Sequence, residues 1–300
     1  MRSPYREQLE IIGYTFGHGK KSLAIVGAMR GNEVQQMYVC SRIVNELKKT
    51  EAEGRISKNC EITVIPCANY YSMNIGKRFW AMDNTDINRM FPGYDQGETT
   101  QRIAAGLFEN LRGYEYGIQF ASFYQQGNFL PHVKVMDTGF TDKELMKDFG
   151  LRYGIVRKPR PYDTTTLNYN WQIWGTQAFS VYANATDTID EDSADEAVCA
   201  VLRFMNNREI ADVKVRPGFM TYLLNESETF QVQSGNAGIF KSTVEIGKNV
   251  EAGDVIGRIT DPFEGKTISE IRSPVSGTIY FEYYSPLINE NTVCFKIIRS

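Results

Sequence analysis

The chain is short of the residues that bind transition metals. Its 300 residues include two His, His18 and His132, and five Cys, at 40, 60, 67, 199 and 294. The Cys are odd in number, scattered and never in C-x-x-C spacing, which argues against a disulfide framework and a thiolate zinc site. They read as buried small hydrophobes. No apolar run approaches the roughly 20 residues a spanning helix needs, and the segment Met1 to Glu7 lacks the apolar core of a leader, so a soluble, cytoplasmic protein with no membrane partner is expected. An excess of basic charge is missing too: 33 Lys and Arg stand against 36 Asp and Glu, for a formal net charge of -3, with no long basic run. That balance argues against a nucleic-acid partner. No Ser sits in a G-x-S-x-G elbow and no Cys has an obvious His partner, so the common nucleophile constellations are absent as well.

What is present is an alternation of β-rich runs with helical periodicity over the first two-thirds, the pattern of an α/β layer fold. Strands are expected over Ser22 to Ala28, Glu61 to Ala68, Tyr116 to Ser122, Tyr153 to Val156 and Ala178 to Ala183. Helices are expected from about Glu33 to Lys49, with Met37, Cys40, Val44 and Leu47 on one face, and over Thr99 to Leu111, with Ile103, Leu107 and Phe108 inward. A third follows the acidic run Asp190 to Glu196, whose carboxylates suit a first helical turn better than a calcium loop. After about Ala211 the texture changes to short β segments punctuated by Gly, Pro and Asn. Residues 1–212 are therefore read as one α/β domain and 213–300 as an all-β domain. Its segments Ile246 to Asp254 and Arg272 to Thr278 resemble the two halves of a barrel-sandwich hybrid, without the displayed Lys of a carrier module.

Four segments carry the functional signal. They are Ala24-Ile-Val-Gly-Ala-Met-Arg-Gly-Asn-Glu33, Gly76-Lys77-Arg78 with Asp83 to Gly93, Tyr116 to Ser122, and Ala178 to Asn184. Together they resemble the succinylglutamate desuccinylase/aspartoacylase family, a branch of the zinc carboxypeptidase superfamily that hydrolyses the amide of N-acylated amino acids. The sharpest motif is Asp86-Ile87-Asn88-Arg89-Met90-Phe91-Pro92-Gly93, close to the family's Asp-Leu-Asn-Arg-x-Phe-Pro-Gly. The resemblance spans nearly the whole chain and implies a zinc-carboxypeptidase-like mixed sheet flanked by helices.

Carried over residue by residue, the resemblance implies a site with one half kept and one half lost. Arg78 matches the Arg that polarises the scissile carbonyl, and Asn88 and Arg89 match the pair that grips the substrate carboxylate. Arg forms bidentate, charge-assisted bonds to a carboxylate, and Asn adds a directed donor. The structural alternative is an Arg–Asp pair, for instance Arg89 with Asp86. The hydrolytic half requires two His and a Glu on zinc plus a Glu base, and only Glu33 remains. Arg30 occupies the first His position, Ala121 the second, and Tyr182 the position of the base.

One carboxylate cannot supply the three protein ligands of a catalytic zinc. A guanidinium about 4 Å from a dication is repelled by roughly 8 kcal/mol at an effective dielectric of about 20. Arg30 is expected to pair with Glu33 instead, putting a fixed cation where the metal's charge would be. Tyr182 is a poor base at neutral pH but a serviceable donor to a ligand carbonyl. His18, in Phe16-Gly-His-Gly-Lys20, reads as an exposed turn residue; His132 has a possible place in the pocket. Tyr169, Trp171 and Trp174 read as core or rim packing, with an apolar wall for an acyl chain as the alternative.

The resulting expectation is a pseudoenzyme that binds an N-acyl amino acid or similar carboxylate, with no zinc or other cofactor. It would act as a regulatory partner of an active relative or as a homo-oligomer. The alternative is a metal-dependent deacylase with a displaced or weak zinc site.

Overall fold

The computed structural model describes residues 9–300; the segment Met1 to Glu7 considered above lies outside the described residues. The first part runs through β1 (Tyr14–Gly17), β2 (Lys20–Ala28), α1 (Val34–Ala52), β3 (Cys60–Cys67) and the short α2 (Tyr70–Met73). It continues with α3 (Thr99–Leu111), β4 (Tyr116–Phe120), β5 (Gly127–Phe129), β6 (His132–Met136), β7 (Tyr153–Arg157), α4 (Leu167–Ile173), β8 (Gln177–Tyr182) and α5 (Glu191–Asn207). The second part is β throughout: β9 (Tyr222–Asn225), β10 (Thr229–Gln233), β11 (Gly238–Ser242), β12 (Asn249–Val250) and β13 (Val255–Thr260). It ends with β14 (Thr267–Arg272), β15 (Gly277–Tyr283), β16 (Leu287–Ile288) and β17 (Val293–Arg299).

Eight strands form one mixed sheet in the order β1-β3-β2-β4-β8-β6-β7-β9. Its centre, β3-β2-β4-β8, is parallel, and β6 enters antiparallel to β8. Successive residues of β2 point to opposite faces. Leu23 and Ile25 pack with Val39, Ile43 and Leu47 of α1 and Val201 and Phe204 of α5. Ala24 and Val26 pack on the other face with Ile103 and Leu107 of α3 and Leu167 and Trp171 of α4. Cover on both faces is why β2 reads as an unbroken apolar run instead of an alternation. The acidic run does start a helix: Asp190 caps α5 by accepting from the Ser193 amide at 2.8 Å.

The C-terminal part is a sandwich of two antiparallel sheets, β10-β17-β15-β12 and β14-β13-β11-β16, with Phe240, Ile256, Ile259, Ile279 and Phe295 between them. Two strands cross the division drawn on texture at 212/213. β9 joins the large sheet by pairing parallel with β7, and β5 pairs antiparallel with β15 of the sandwich. The seam is a shared apolar cluster of Phe129, Ile155, Leu224, Tyr280 and Phe281.

All five cysteines are free; Cys40, Cys67 and Cys294 are buried and Cys60 and Cys199 half-buried. His18 is exposed in the turn between β1 and β2.

Candidate functional site

The site forms because β2, β4 and β8 are parallel neighbours in near register, Val26 opposite Gln119 and Phe120 opposite Val181. Their carboxyl ends therefore finish together. The loop after β2 delivers Arg30 and Glu33, the end of β4 delivers Ala121 and Ser122, and β8 ends on Tyr182. A crevice beyond the carboxyl ends of parallel strands is where open α/β sheets place ligands. Here that crevice is a cleft of about 570 Å³, walled by the loops around Arg78, Arg89 and Tyr162 and lined also by Lys296 of β17.

At its base, Arg30 and Glu33 pair as expected, Nη1 to Oε1 at 2.9 Å. The pairing extends further than the sequence suggested. The guanidinium also donates through Nε and Nη2 to Oδ2 of Asp86, at 3.1 and 2.8 Å. Asp86 is thus taken by Arg30 and not by Arg89. The carboxylate of Glu33 is fully engaged: Oε2 accepts from the backbone amides of Met29 and Arg30 at 2.7 and 2.9 Å, and Oε1 accepts from Arg30 and, at 2.5 Å, from the Ser122 hydroxyl. Burial works against the charge of Arg30, but Glu33 and Asp86 together outweigh it and hold the guanidinium more firmly protonated than usual.

Arg78 and Arg89 both face the cleft. The Arg78 guanidinium lies over the Phe79 ring, 5.5 Å from its centroid, and makes a long bond from Nη2 to the Phe123 carbonyl, 3.4 Å; burial followed by repulsion from Arg30 makes its charged form less favourable than usual. Such a group gains most from an incoming anion. Arg89 donates to the Tyr162 carbonyl at 2.7 Å, lies over the Tyr162 ring, and reaches Asp163 only at 3.9 Å. Asp163 is already gripped at two oxygens by Arg157, at 2.6 and 2.8 Å. Asn88, expected beside the arginines as a ligand donor, is buried under the loop instead, with Oδ1 accepting from the Leu167 amide at 3.2 Å. Its place in the 86–93 motif fastens that loop to the start of α4.

Tyr182 and His132 are directly opposite across the β6/β8 pair, and their rings stack with centroids 4.9 Å apart. Both line the cleft. The Nδ1 of His132 bonds the Leu130 carbonyl at 2.9 Å, while Nε2 is buried without a partner. Burial, reinforced by Lys134, pushes this imidazole down to about 3, so it is neutral at physiological pH. Of the aromatic trio, Trp171 is core, donating to the Leu111 carbonyl at 3.0 Å, and Trp174 packs edge-on against Phe108. Neither these two nor Tyr169 is among the residues that wall the cleft.

Residues 19–207, more than half of the chain, match the model of the succinylglutamate desuccinylase/aspartoacylase catalytic domain. The chain belongs to that family. A solved succinylglutamate desuccinylase from Silicibacter sp. superposes with a TM-score of 0.80 at 18% identity, over 96% of this chain and 89% of that one. The product-bound ectoine utilization protein of Ruegeria pomeroyi does so with a TM-score of 0.79 at 18% identity, over 96% and 88% of the two chains. Among curated proteins, the N-alpha-acetyl-L-2,4-diaminobutyric acid deacetylase of Halomonas elongata is 27% identical over 88 residues. That match spans 29% of this chain and about a quarter, 24%, of the Halomonas protein. The structural likenesses cover the β-rich part as well and show the shared fold.

The desuccinylase/aspartoacylase family is typically zinc-dependent, and the residues at the corresponding position here do not fit the ion. Guanidinium has no lone pair to offer and alanine has no donor at all. Glu33 already accepts four hydrogen bonds, and Asp86 accepts two from Arg30 and one from the Asn88 amide. Among the described residues, no group of three or more His, Cys, Asp or Glu is placed to hold a metal. Asp86 and Ser122 complete the arrangement; the sequence points to Asp86 only as a partner of Arg89, and to Ser122 only as the end of a strand. Asp86 lies inside the quoted motif, and a buried Arg needs more than one carboxylate oxygen to satisfy its fork of donors.

Proposed function

We propose that this member of the deacylase family binds a small carboxylate, an N-acyl amino acid or a close chemical relative, without hydrolysing it through zinc, and serves as a ligand-responsive partner of an active relative or of its own copies. The observation that carries this reading is the buried Arg30, inserted between Glu33 and Asp86 with one guanidinium donor also toward Ser122 at 3.4 Å. It supplies one fixed positive charge, needs no metal to do so, and occupies the carboxylate that a metal would require. The lightly held Arg78 and the half-exposed Arg89 support a carboxylate ligand, because their remaining donors face the cleft. Tyr182 adds a phenol able to donate to a carbonyl. The deacetylase from Halomonas supports the N-acyl amino acid class.

Protein produced in zinc-supplemented medium is expected to hold far less than one zinc per chain and to leave N-acetyl and N-succinyl amino acids intact. At least one of them is expected to raise thermal stability, by about 2.7 kcal/mol at a hundredfold excess over Kd. Arg89→Ala should weaken that binding roughly 10- to 100-fold, the range for a hydrogen bond to a charged group. Stoichiometric zinc with hydrolysis lost on chelation would overturn the reading in favour of a metal-dependent deacylase.

A further inference from the structure

The same cleft holds a group that carboxylate binding leaves unexplained. Lys296 lies in the middle of β17, where every residue from Val293 to Ile298 is buried, and its own exposure is 5%. Its Nζ is 3.9 Å from the ring centroid of Phe123 and 5.5 Å from that of Phe281. Among the described residues no carboxylate lies within 4.0 Å of it and no hydrogen bond holds it, yet the side chain lines the cleft.

The adjacent Lys134 differs on each count. It pairs with Glu226 at 3.0 Å, and its ammonium is stabilised beyond the usual value despite burial. Glu226 is also approached by Arg160 at 3.4 Å, so the one carboxylate that acts on Lys296 is shared by other cations. Burial first, then repulsion by Lys134, Arg160 and Arg157, brings the Lys296 amine down to about 7. A methionine would fill the same space without the cost of desolvating an amine. A desolvated amine beside a second cation is the environment that makes a lysine nucleophilic at neutral pH.

We propose that Lys296 captures the carbonyl carbon of a 2-oxo acid as an imine inside the cleft. The preference for an acid rests on the carboxylate-binding reading, since Arg78 and Arg89 line the same cleft as Lys296. The neutral amine's lone pair forms the C–N bond while the carbonyl π pair moves to oxygen, which takes a proton from solvent. The nitrogen then gives up a proton, the hydroxyl is protonated and leaves as water, and the nitrogen lone pair closes the C=N bond. The net change is one amine, one carbonyl and one proton going to one iminium and one water. No oxidant or reductant takes part.

The test uses the full chain with glyoxylate or with propanal, each trapped by cyanoborohydride at neutral pH, followed by intact mass and peptide mapping. Glyoxylate is expected to label Lys296 at least tenfold faster than any other lysine. The adduct should be absent from Lys296→Met and Lys296→Arg, with circular dichroism establishing that both variants fold. Lys134→Met frees Glu226 for Lys296 and should shift the pH midpoint of labelling upward. Labelling spread over surface lysines, or none at Lys296 in the folded protein, overturns the proposal. Equal rates with propanal would uphold capture by Lys296 and remove the acid from it. No labelling while N-acyl amino acids still stabilise the protein would sink the imine and leave the carboxylate reading standing.

Discussion

At the residue scale, one side chain organises the centre of the site. Arg30 is a hub of donors, and Glu33, Asp86 and Ser122 all satisfy themselves on it. Removing one partner of a buried ion cluster is costly because it strands the others. Arg30→Ala is therefore expected to lose about 3–5 kcal/mol in urea denaturation. Arg30→Lys should recover only part of this, since a single ammonium cannot span both carboxylates in the plane of a guanidinium fork. A second expectation concerns His132, whose imidazole is held down to about 3 from 6.5. The folded state binds fewer protons than the unfolded chain between those values, so stability rises with pH there. The contribution of His132 is fully present above about 6.5 and lost as pH falls toward 3. His132→Phe should flatten that part of a stability–pH profile measured by urea denaturation; an unchanged slope would contradict the assignment.

At the element scale, the site depends on how closely the loop after β2 approaches the segment before Arg78. The Gly31 amide donates to the Arg78 carbonyl at 2.8 Å, and a Cβ at Gly31 would fall 2.2 Å from the Lys77 carbonyl oxygen and 2.6 Å from the Met73 nitrogen. Backbone atoms cannot yield as a side-chain tip does. Gly31→Val should separate the two loops, costing about 1–3 kcal/mol of stability and weakening ligand binding through a displaced Arg78; calorimetric titration beside urea denaturation separates the two effects.

The elements that sequence made legible are the long ones. α1, α3 and α5 each show enough apolar periodicity to be recognised, and β2, β3, β4, β7 and β8 each carry a compact apolar run. The strands β5 and β6 and the helices α2 and α4 passed unread. A segment of three to seven residues with a mixed pattern has no period to detect, and its conformation is set by what it pairs with.

At the scale of the whole molecule, the exchange of β5 and β9 binds the α/β part to the sandwich. Cutting the chain after residue 212 would strip β9 from the edge of the large sheet and expose Phe129 and Ile155 of the shared cluster. The full chain is expected to unfold in a single transition, with far- and near-ultraviolet circular dichroism coincident. A 1–212 fragment should bind a hydrophobic dye and lack a cooperative transition; an independently stable fragment would contradict the shared core. Among the described residues no helix is long and apolar enough to cross a membrane.

The sequence by itself determined the family, the α/β class and the scarcity of His and Cys, because those follow from residue identity and from periodicity within a single segment. His, Glu and Arg differ in lone pairs and charge wherever the chain places them. Only the tertiary structure decided that Asp86 joins Glu33 on Arg30, that Asn88 fastens a loop, and that Lys296 reaches the same cleft as Arg78 from the far end of the chain. These outcomes depend on strand order and register, which bring together residues more than two hundred positions apart, and no local pattern encodes such a distance.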